Sequence, residues 1–396
     1  MLLESIPSIR KATQMRSSIE LEPINASLLA DALACLRCDA RFPVTLRHEG
    51  CPVCRVAGVH VSLRAAYPAP ARGGSVNQAY AHAFSLGEGD TPCTSSSLLA
   101  DALGIAQLWI KDESRNPTGS HKDRMSAIGI TQALHMGAHT VVLASSGNAA
   151  ISAARYAQAA GLRCEVAAYD GLHKQYASLL DEYGAVCHSF PDNAQRWAFV
   201  RERAQLPGYL ALTNYSLPAL GSAPLAIEGY KLIAQECVDD GIVPSDVVVP
   251  TARGDLAWGI FAGFSELLQA GRIAQLPRIW IVEPFARLAK VLEGGDLHAN
   301  YANNTAQFST AGATVTYLQF QAATASHGGA VVVNDEAAHA ARGKLTAGSI
   351  CAELCAAAAF AAIGQLRRGQ RLGADSRVLW LLTANALLDP SYRPVS

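Results

Sequence analysis

The stretch "KDESRNPTGSHKDR", Lys111 to Arg124, decides how this chain is read. It sets Lys122 between His121 and an Asp-Arg pair, just after a Pro-Thr-Gly turn. The following "DRMSAIGITQALHMG" has a helical pattern with a glycine stop. A lysine in such a place is a surface charge, a phosphate ligand or a covalent hook for a cofactor. Near a helix start and beside other cations its pKa falls, and a neutral amine can attack a carbonyl. Standing alone, the same stretch reads as a solvated lysine.

Outward from this stretch, strands and helices alternate. "AQLWIKDES" precedes it as a short apolar strand. After it come "HTVVLASSGN", a buried strand leading into a turn, and "AAISAARYAQAAG", a small-residue helix. Then follow strand "LRCEVAAYD", helix "HKQYASLLDEYG" and strand "AVCHSF". Later come "SDVVVPTARGD", "LAWGIFAGFSELLQAG", "LPRIWIVEP", a helix through "ELCAAAAFAAIGQLRRG" and the strand "RVLWLLTAN". This alternation predicts an α/β protein with parallel sheets. Ligands of such sheets bind where strands end and helices begin. Four stretches fall there: "NPTGSHKDR", "SSGNAA", "PTARGD" and "TANALLDP". The backbone N–H groups and hydroxyls of "SSGNAA", Ser145 to Ala150, suit an anion, and Asn148 suits an aromatic ring hydroxyl. "PTARGD" suits a phosphate, aided by Arg253. A nucleotide P-loop is excluded, because "ARGKLT" lacks the first glycine at the required spacing.

The chain has 396 residues, half of them hydrophobic, which is enough for more than one core. With 32 Lys and Arg against 33 Asp and Glu, the net charge of −1 gives no electrostatic reason to seek nucleic acid or an anionic membrane. The most apolar run, "ICAELCAAAAFAAIGQL", carries Glu353 and reads as a buried core helix rather than a membrane span. The opening residues lack the marks of a leader, so a cytoplasmic protein is expected.

Four of the ten cysteines form two Cys-x-x-Cys pairs, Cys35 with Cys38 and Cys51 with Cys54. The "RFPVTLRHEG" between them reads as a short hairpin with a glycine turn. Two such pairs set four thiolates around a structural zinc and leave no open position for catalysis. The alternative is four thiols without metal. Some helical pattern in "ASLLADALA" precedes the pairs, and the Pro/Gly-rich "AAYPAPARGGS" follows as a linker.

Together these stretches resemble the pyridoxal-phosphate enzymes of fold type II, and among them the threonine synthase branch. The lysine motif is close to the family's Lys-Asp-Glu…Asn-Pro-Thr-Gly-Ser-Phe-Lys-Asp-Arg. "LGEGDTP", "IEGYK", "LPRIWIVEP" and "LLTANALLDP" match further family segments. The resemblance implies two doubly wound α/β domains behind a zinc-ribbon-like module. Residues 1–30 would be an extension, 31–58 the zinc module, 59–120 with 226–396 the large cofactor domain, and 121–225 the smaller domain. It makes Lys122 the catalytic lysine that carries pyridoxal phosphate. It sets Asn148 at the ring hydroxyl, Thr383 at the pyridine nitrogen, and Ala252, Arg253, Gly254 and Asp255 at the cofactor phosphate. Ser145, Ser146, Gly147, Asn148 and Ala149 would receive the substrate carboxylate. A homodimeric lyase in amino-acid biosynthesis is implied.

Four departures bear on function. His121 replaces the family's phenylalanine and puts a titratable ring beside the lysine. The phosphate loop keeps only Gly254, and Asp255 there repels a phosphate unless it pairs with Arg253 or caps the next helix. Ala384 and Ala386 replace glycines. The arginine that helps threonine synthases hold the substrate phosphate is missing from "TNYSLPALGSAPLAIEGYK", which leaves Lys231 or Arg155 as substitutes. Three functions follow for testing: a threonine synthase-type enzyme, a β-replacement or elimination enzyme on a phosphoserine-like amino acid, and a non-catalytic homologue.

Overall fold

The computed structural model describes residues 30, 32–46, 48–67 and 84–389. The expected N-terminal extension, apart from residue 30, and most of the Pro/Gly-rich linker lie outside the described residues. Strands β1 (Ala32–Cys35), β2 (Arg41–Phe42) and β3 (Leu63–Ala66) form a small antiparallel sheet in the order β2-β1-β3. Two sequence readings change here. The helical pattern of "ASLLADALA" gives way to β1 from Ala32 onward, because pairing along β3 overrides local propensity. The expected hairpin within "RFPVTLRHEG" does not close on itself. β2 pairs back onto β1 and stops at Pro43, which cannot donate to a ladder.

Strands β4 (Cys93–Ser95) and β5 (Gln107–Asp112) begin a second sheet. The chain then leaves it to build a third from β6 (Thr140–Ala144), β7 (Arg163–Tyr169), β8 (Val186–Phe190) and β9 (Tyr209–Ala211), all parallel, in the order β8-β7-β6-β9. It returns through β10 (Asp246–Pro250), β11 (Arg278–Glu283), β12 (Gly329–Val332) and β13 (Arg377–Leu382). The second sheet runs β12-β11-β10-β13-β5-β4 and is parallel except for β4 on its edge.

Why these strands are buried on both faces is visible in their side chains. Val247, Val249, Ile281 and Leu379 point into a core shared with the helix Asp255–Gln269. Their neighbours Val248, Val282, Val378 and Trp380 point into the opposite core, with the alanine-rich helix Leu354–Arg368. Alternate residues thus serve two apolar layers, which is why the strands read as continuous hydrophobic runs. In the third sheet, Val141, Leu143 and Val166 face one core and Val142 and Ala167 the other, with Trp197. The helix Lys122–His135 joins the two α/β bodies: Ile130 and Ala133 belong to the smaller core and Met125 to the larger one. Its N-terminus therefore lies between the sheets. No helix among the described residues is long and apolar enough to cross a membrane.

Candidate active site

Most of "KDESRNPTGSHKDR" is a frame. Arg124 is fully buried and pairs with Glu113 and Glu236, each at 2.6 Å. Lys111 joins this network through Glu236 at 2.6 Å and through the Thr91 carbonyl. Asn116 donates to Glu113 and accepts the Gly89 N–H, which binds "LGEGDTP" to the loop. Asp123 accepts from the Thr118 hydroxyl at 2.5 Å, the Thr118 N–H and the Ser152 hydroxyl. Buried charges hold a loop this firmly only when fully paired. Arg124 is thus turned into the frame, and what the loop presents to the cavity between the sheets is His121 and Lys122.

That cavity encloses about 340 Å³. The ends of β6, β7, β10 and β13 deliver its walls: Ala144 to Ala149, Tyr169, Pro250 to Arg253 with Asp255, and Thr383. Of the residues singled out in the sequence, Lys122, Ser145, Ser146, Gly147, Asn148, Ala149, Ala252, Arg253, Asp255 and Thr383 all line it. Gly254 lies just behind the wall. Its φ of +89° shapes the loop, and a Cβ there would stand 2.7 Å from the Gln319 backbone nitrogen.

The Lys122 amine lies 3.4 Å from the Tyr230 hydroxyl. Burial lowers its pKa; Asp255 and Glu353 pull it back up, and Arg253 lowers it further. The His121 ring nitrogen Nδ1 donates to the Thr383 carbonyl at 3.1 Å, which fixes the tautomer and leaves Nε2 as an acceptor. Burial, Lys122 and Arg124 hold its pKa well below the ordinary histidine value. The ring is neutral at pH 7, so the titration expected beside the lysine moves to acid pH.

Asn148 opens the helix Asn148–Ala159, with Gly147 as its cap residue. Its Nδ2 donates to Glu353 at 3.2 Å, while its buried Oδ1 has no partner. The Ser146 hydroxyl accepts the Tyr169 N–H at 2.8 Å. In the sequence Glu353 only interrupts an alanine run. It is 2% exposed, accepts the Ser309 hydroxyl at 2.5 Å, and lines the cavity. Burial pushes its carboxyl up to about 7. A lone acid in an apolar helix start is costly unless it is partnered, and that cost was the available signal.

Asp255 takes neither of the two expected roles. It accepts the Ser222 N–H at 3.0 Å and the Ser222 hydroxyl at 2.7 Å. The two candidates for a replacement cation are also elsewhere: Lys231 is buried against Glu228 and Glu266, and Arg155 bonds Gln158 at 3.1 Å. Neither lines the cavity.

The four N-terminal cysteine sulfurs lie within 4.8 Å of one another. Cys35 to Cys54 and Cys38 to Cys51 are each 3.7 Å. Four thiolates about 2.3 Å from a tetrahedral zinc would stand about 3.8 Å apart. Backbone N–H groups of Arg37 and Cys54 point at Cys35 and Cys51, as a thiolate requires. The cluster therefore fits zinc. Its module docks on the segment that carries Ser222, through the Ser62 hydroxyl on the Leu220 carbonyl at 2.6 Å and the His48 N–H on Tyr215.

Comparisons with known proteins point to one family and fold. Residues 84–384 match the family described as pyridoxal-phosphate dependent enzyme. Threonine synthase of Methanosarcina acetivorans is 31% identical over 316 residues, covering 76% of each chain. That of Methanocaldococcus jannaschii is 29% identical, covering 77% of this chain and 76% of its own. Maize serine racemase shares the fold with a TM-score of 0.65 at 18% identity, over 78% of this chain and 93% of its own. A lowered-pKa lysine, an orphaned amide oxygen and a phosphate-sized loop at a helix N-terminus fit an aromatic aldehyde with a ring hydroxyl and a phosphate. The chain is a pyridoxal-phosphate-dependent enzyme of the threonine synthase family.

Proposed function

We propose that the protein is a lyase or synthase of threonine synthase type. It acts on an amino acid with a leaving group on its β or γ carbon; its relatives are named threonine synthase, and the family resemblance implies O-phosphohomoserine as the starting amino acid. The observation that carries this reading is one cavity lined by Lys122, Asn148, the Thr251–Asp255 loop and Thr383.

Pyridoxal phosphate, when bound, supplies an electron sink for negative charge at the amino acid's α carbon. Lys122 would hold it and would move protons at the substrate's α and β carbons, a task for which burial has weakened the amine's hold on its own proton. Asn148 Oδ1, which has no partner of its own, would accept from the ring hydroxyl, and the Glu353 contact on Nδ2 would keep that amide from turning. Thr383, which lines the cavity, would meet the pyridine nitrogen with an uncharged hydroxyl, and such a partner does not force that nitrogen to stay protonated. Ala252, Arg253, Gly254 and Asp255 would hold the phosphate, and Ser145 to Ala149 would take the substrate carboxylate at a helix N-terminus. Zinc on Cys35, Cys38, Cys51 and Cys54 is structural. We further infer a cytoplasmic homodimer, the assembly that the resemblance implies.

A second reading is β-replacement or elimination on a phosphoserine-like amino acid, of the cysteate or diaminopropionate type. It is favoured by the lack of any arginine between Thr213 and Lys231. Lys122→Ala tests the common core of both readings. The visible absorbance of the purified protein should vanish in the variant, and a retained band would remove Lys122 from the reaction.

A further inference from the structure

Tyr230 stands behind the cavity wall that Lys122 lines. It closes the single turn Glu228–Tyr230, between the helices Pro224–Ile227 and Lys231–Asp239, and is fully buried. Its ring is held in place by close neighbours. A Cβ on Gly259, in the helix Asp255–Gln269, would stand 2.4 Å from the Tyr230 Cβ, so the glycine lets the two backbones approach. The His121 ring centre lies 5.6 Å from that of Tyr230. The hydroxyl of this fixed ring is 3.4 Å from the Lys122 amine, and among the described residues it is the amine's hydrogen-bond partner. Asp255 and Glu353, whose charges reach the amine, are engaged elsewhere, the first by Ser222 and the second by Ser309 and Asn148.

A phenol hydroxyl both donates and accepts, so it serves an amine in either protonation state. A buried amine without a partner is costly, and Tyr230 removes that cost for Lys122. The reaction proposed above needs such a place. When an amino acid displaces Lys122 from the cofactor, the C=N bond to the lysine nitrogen breaks and one to the amino-acid nitrogen forms. Two protons pass from the incoming amine to the lysine nitrogen, which leaves as a free amine, and nothing is oxidised or reduced. The lysine chain is long and flexible, and a fixed hydroxyl keeps its freed end in one position.

We propose that Tyr230 is a further catalytic residue, whose hydroxyl receives the Lys122 amine each time a substrate sets it free. This rests on Lys122 being the cofactor lysine, as read above, and on no particular leaving group. A hydroxyl that bonds the released amine stabilises that state alone. It therefore works against joining Lys122 to the cofactor and in favour of its displacement by an amino acid. A tyrosine that only packs would support both states alike.

The test is Tyr230→Phe in the full chain, which keeps the ring and its packing on Gly259 and so keeps the fold. Equilibrium dialysis gives the affinity of the cofactor-free chain for pyridoxal phosphate. Titration of the loaded chain with O-phospho-L-homoserine and with L-threonine, followed in the visible spectrum, gives the displacement. Loss of one hydrogen bond should make pyridoxal phosphate bind about fivefold tighter and the amino acids displace Lys122 about fivefold less readily. With Lys122→Ala already in place, Tyr230→Phe should leave pyridoxal phosphate affinity unchanged, because the amine is gone. Both affinities weaker, neither changed by twofold, or the same gain in the Lys122→Ala chain would overturn the proposal. A wild-type spectrum that ignores every amino acid would remove the proposed reaction, while the dialysis still decides whether Tyr230 holds the amine.

Discussion

Glu353→Gln in the cofactor-free protein should change how stability depends on pH. The wild-type carboxyl is buried at the start of the alanine-rich helix, and burial pushes it from 4.5 up to about 7, against the help of Ser309 and Asn148. A carboxyl raised on folding binds a proton in the native state that the unfolded chain has already lost. Its stabilisation is therefore complete at low pH and fades as pH rises through that window. At about 1.4 kcal/mol per pH unit, the full span is worth about 3 kcal/mol, of which about 2.5 falls between pH 5 and pH 8. Glutamine keeps an oxygen for the Asn148 amide and does not titrate. The assay is urea unfolding of both proteins at pH 5 and pH 8. Asp123, raised to about 6 by burial, and His48, lowered to about 4 by burial, titrate in both proteins and cancel in the difference. Wild type should lose about 2–3 kcal/mol relative to the variant as pH rises. Stabilities that stay parallel to within about 0.5 kcal/mol would show that Glu353 ionises as a solvated acid does.

Gly254→Ala forces a side chain onto a φ of +89° and against the Gln319 backbone. Left-handed backbone alone costs about 1–2 kcal/mol, so cofactor affinity should fall tenfold or more in equilibrium dialysis, with folding retained. Metal analysis should find one zinc per chain. Cys51→Ser should abolish it and lower the melting temperature, since the module's docking on Leu220 and Tyr215 depends on the same four sulfurs. Ser222→Ala removes one of the two bonds on Asp255 and should weaken cofactor binding several-fold, as the freed carboxylate turns toward the phosphate loop. An unchanged affinity would mean that Asp255 is held by its backbone contact alone.

Strands β5, β6, β10, β11 and β13 were legible because burial on both faces makes each a continuous apolar run. β4, β9 and β12 were not, being only three or four residues long. The site stretches were visible because strand-to-helix junctions concentrate glycine, serine and asparagine. What their side chains face was hidden. Arg124 looked like a neighbour of Lys122 until its two glutamates, Glu113 and Glu236, took it into the frame. His121 looked titratable because its partner, the Thr383 carbonyl just past β13, lies 262 residues away. Asp255 found Ser222, on a segment with no motif of its own. Arg196 lies on a helix with Arg201 and Arg203, and no periodicity distinguishes the one that turns inward.

That this cavity transforms an amino acid carrying a leaving group is tested most directly by mixing the cofactor-loaded protein with O-phospho-L-homoserine while recording its visible spectrum, phosphate and threonine. A prompt spectral change with phosphate and threonine released in equal amounts is the predicted result. A spectrum that ignores both this substrate and O-phospho-L-serine, with no phosphate released from either, would contradict it.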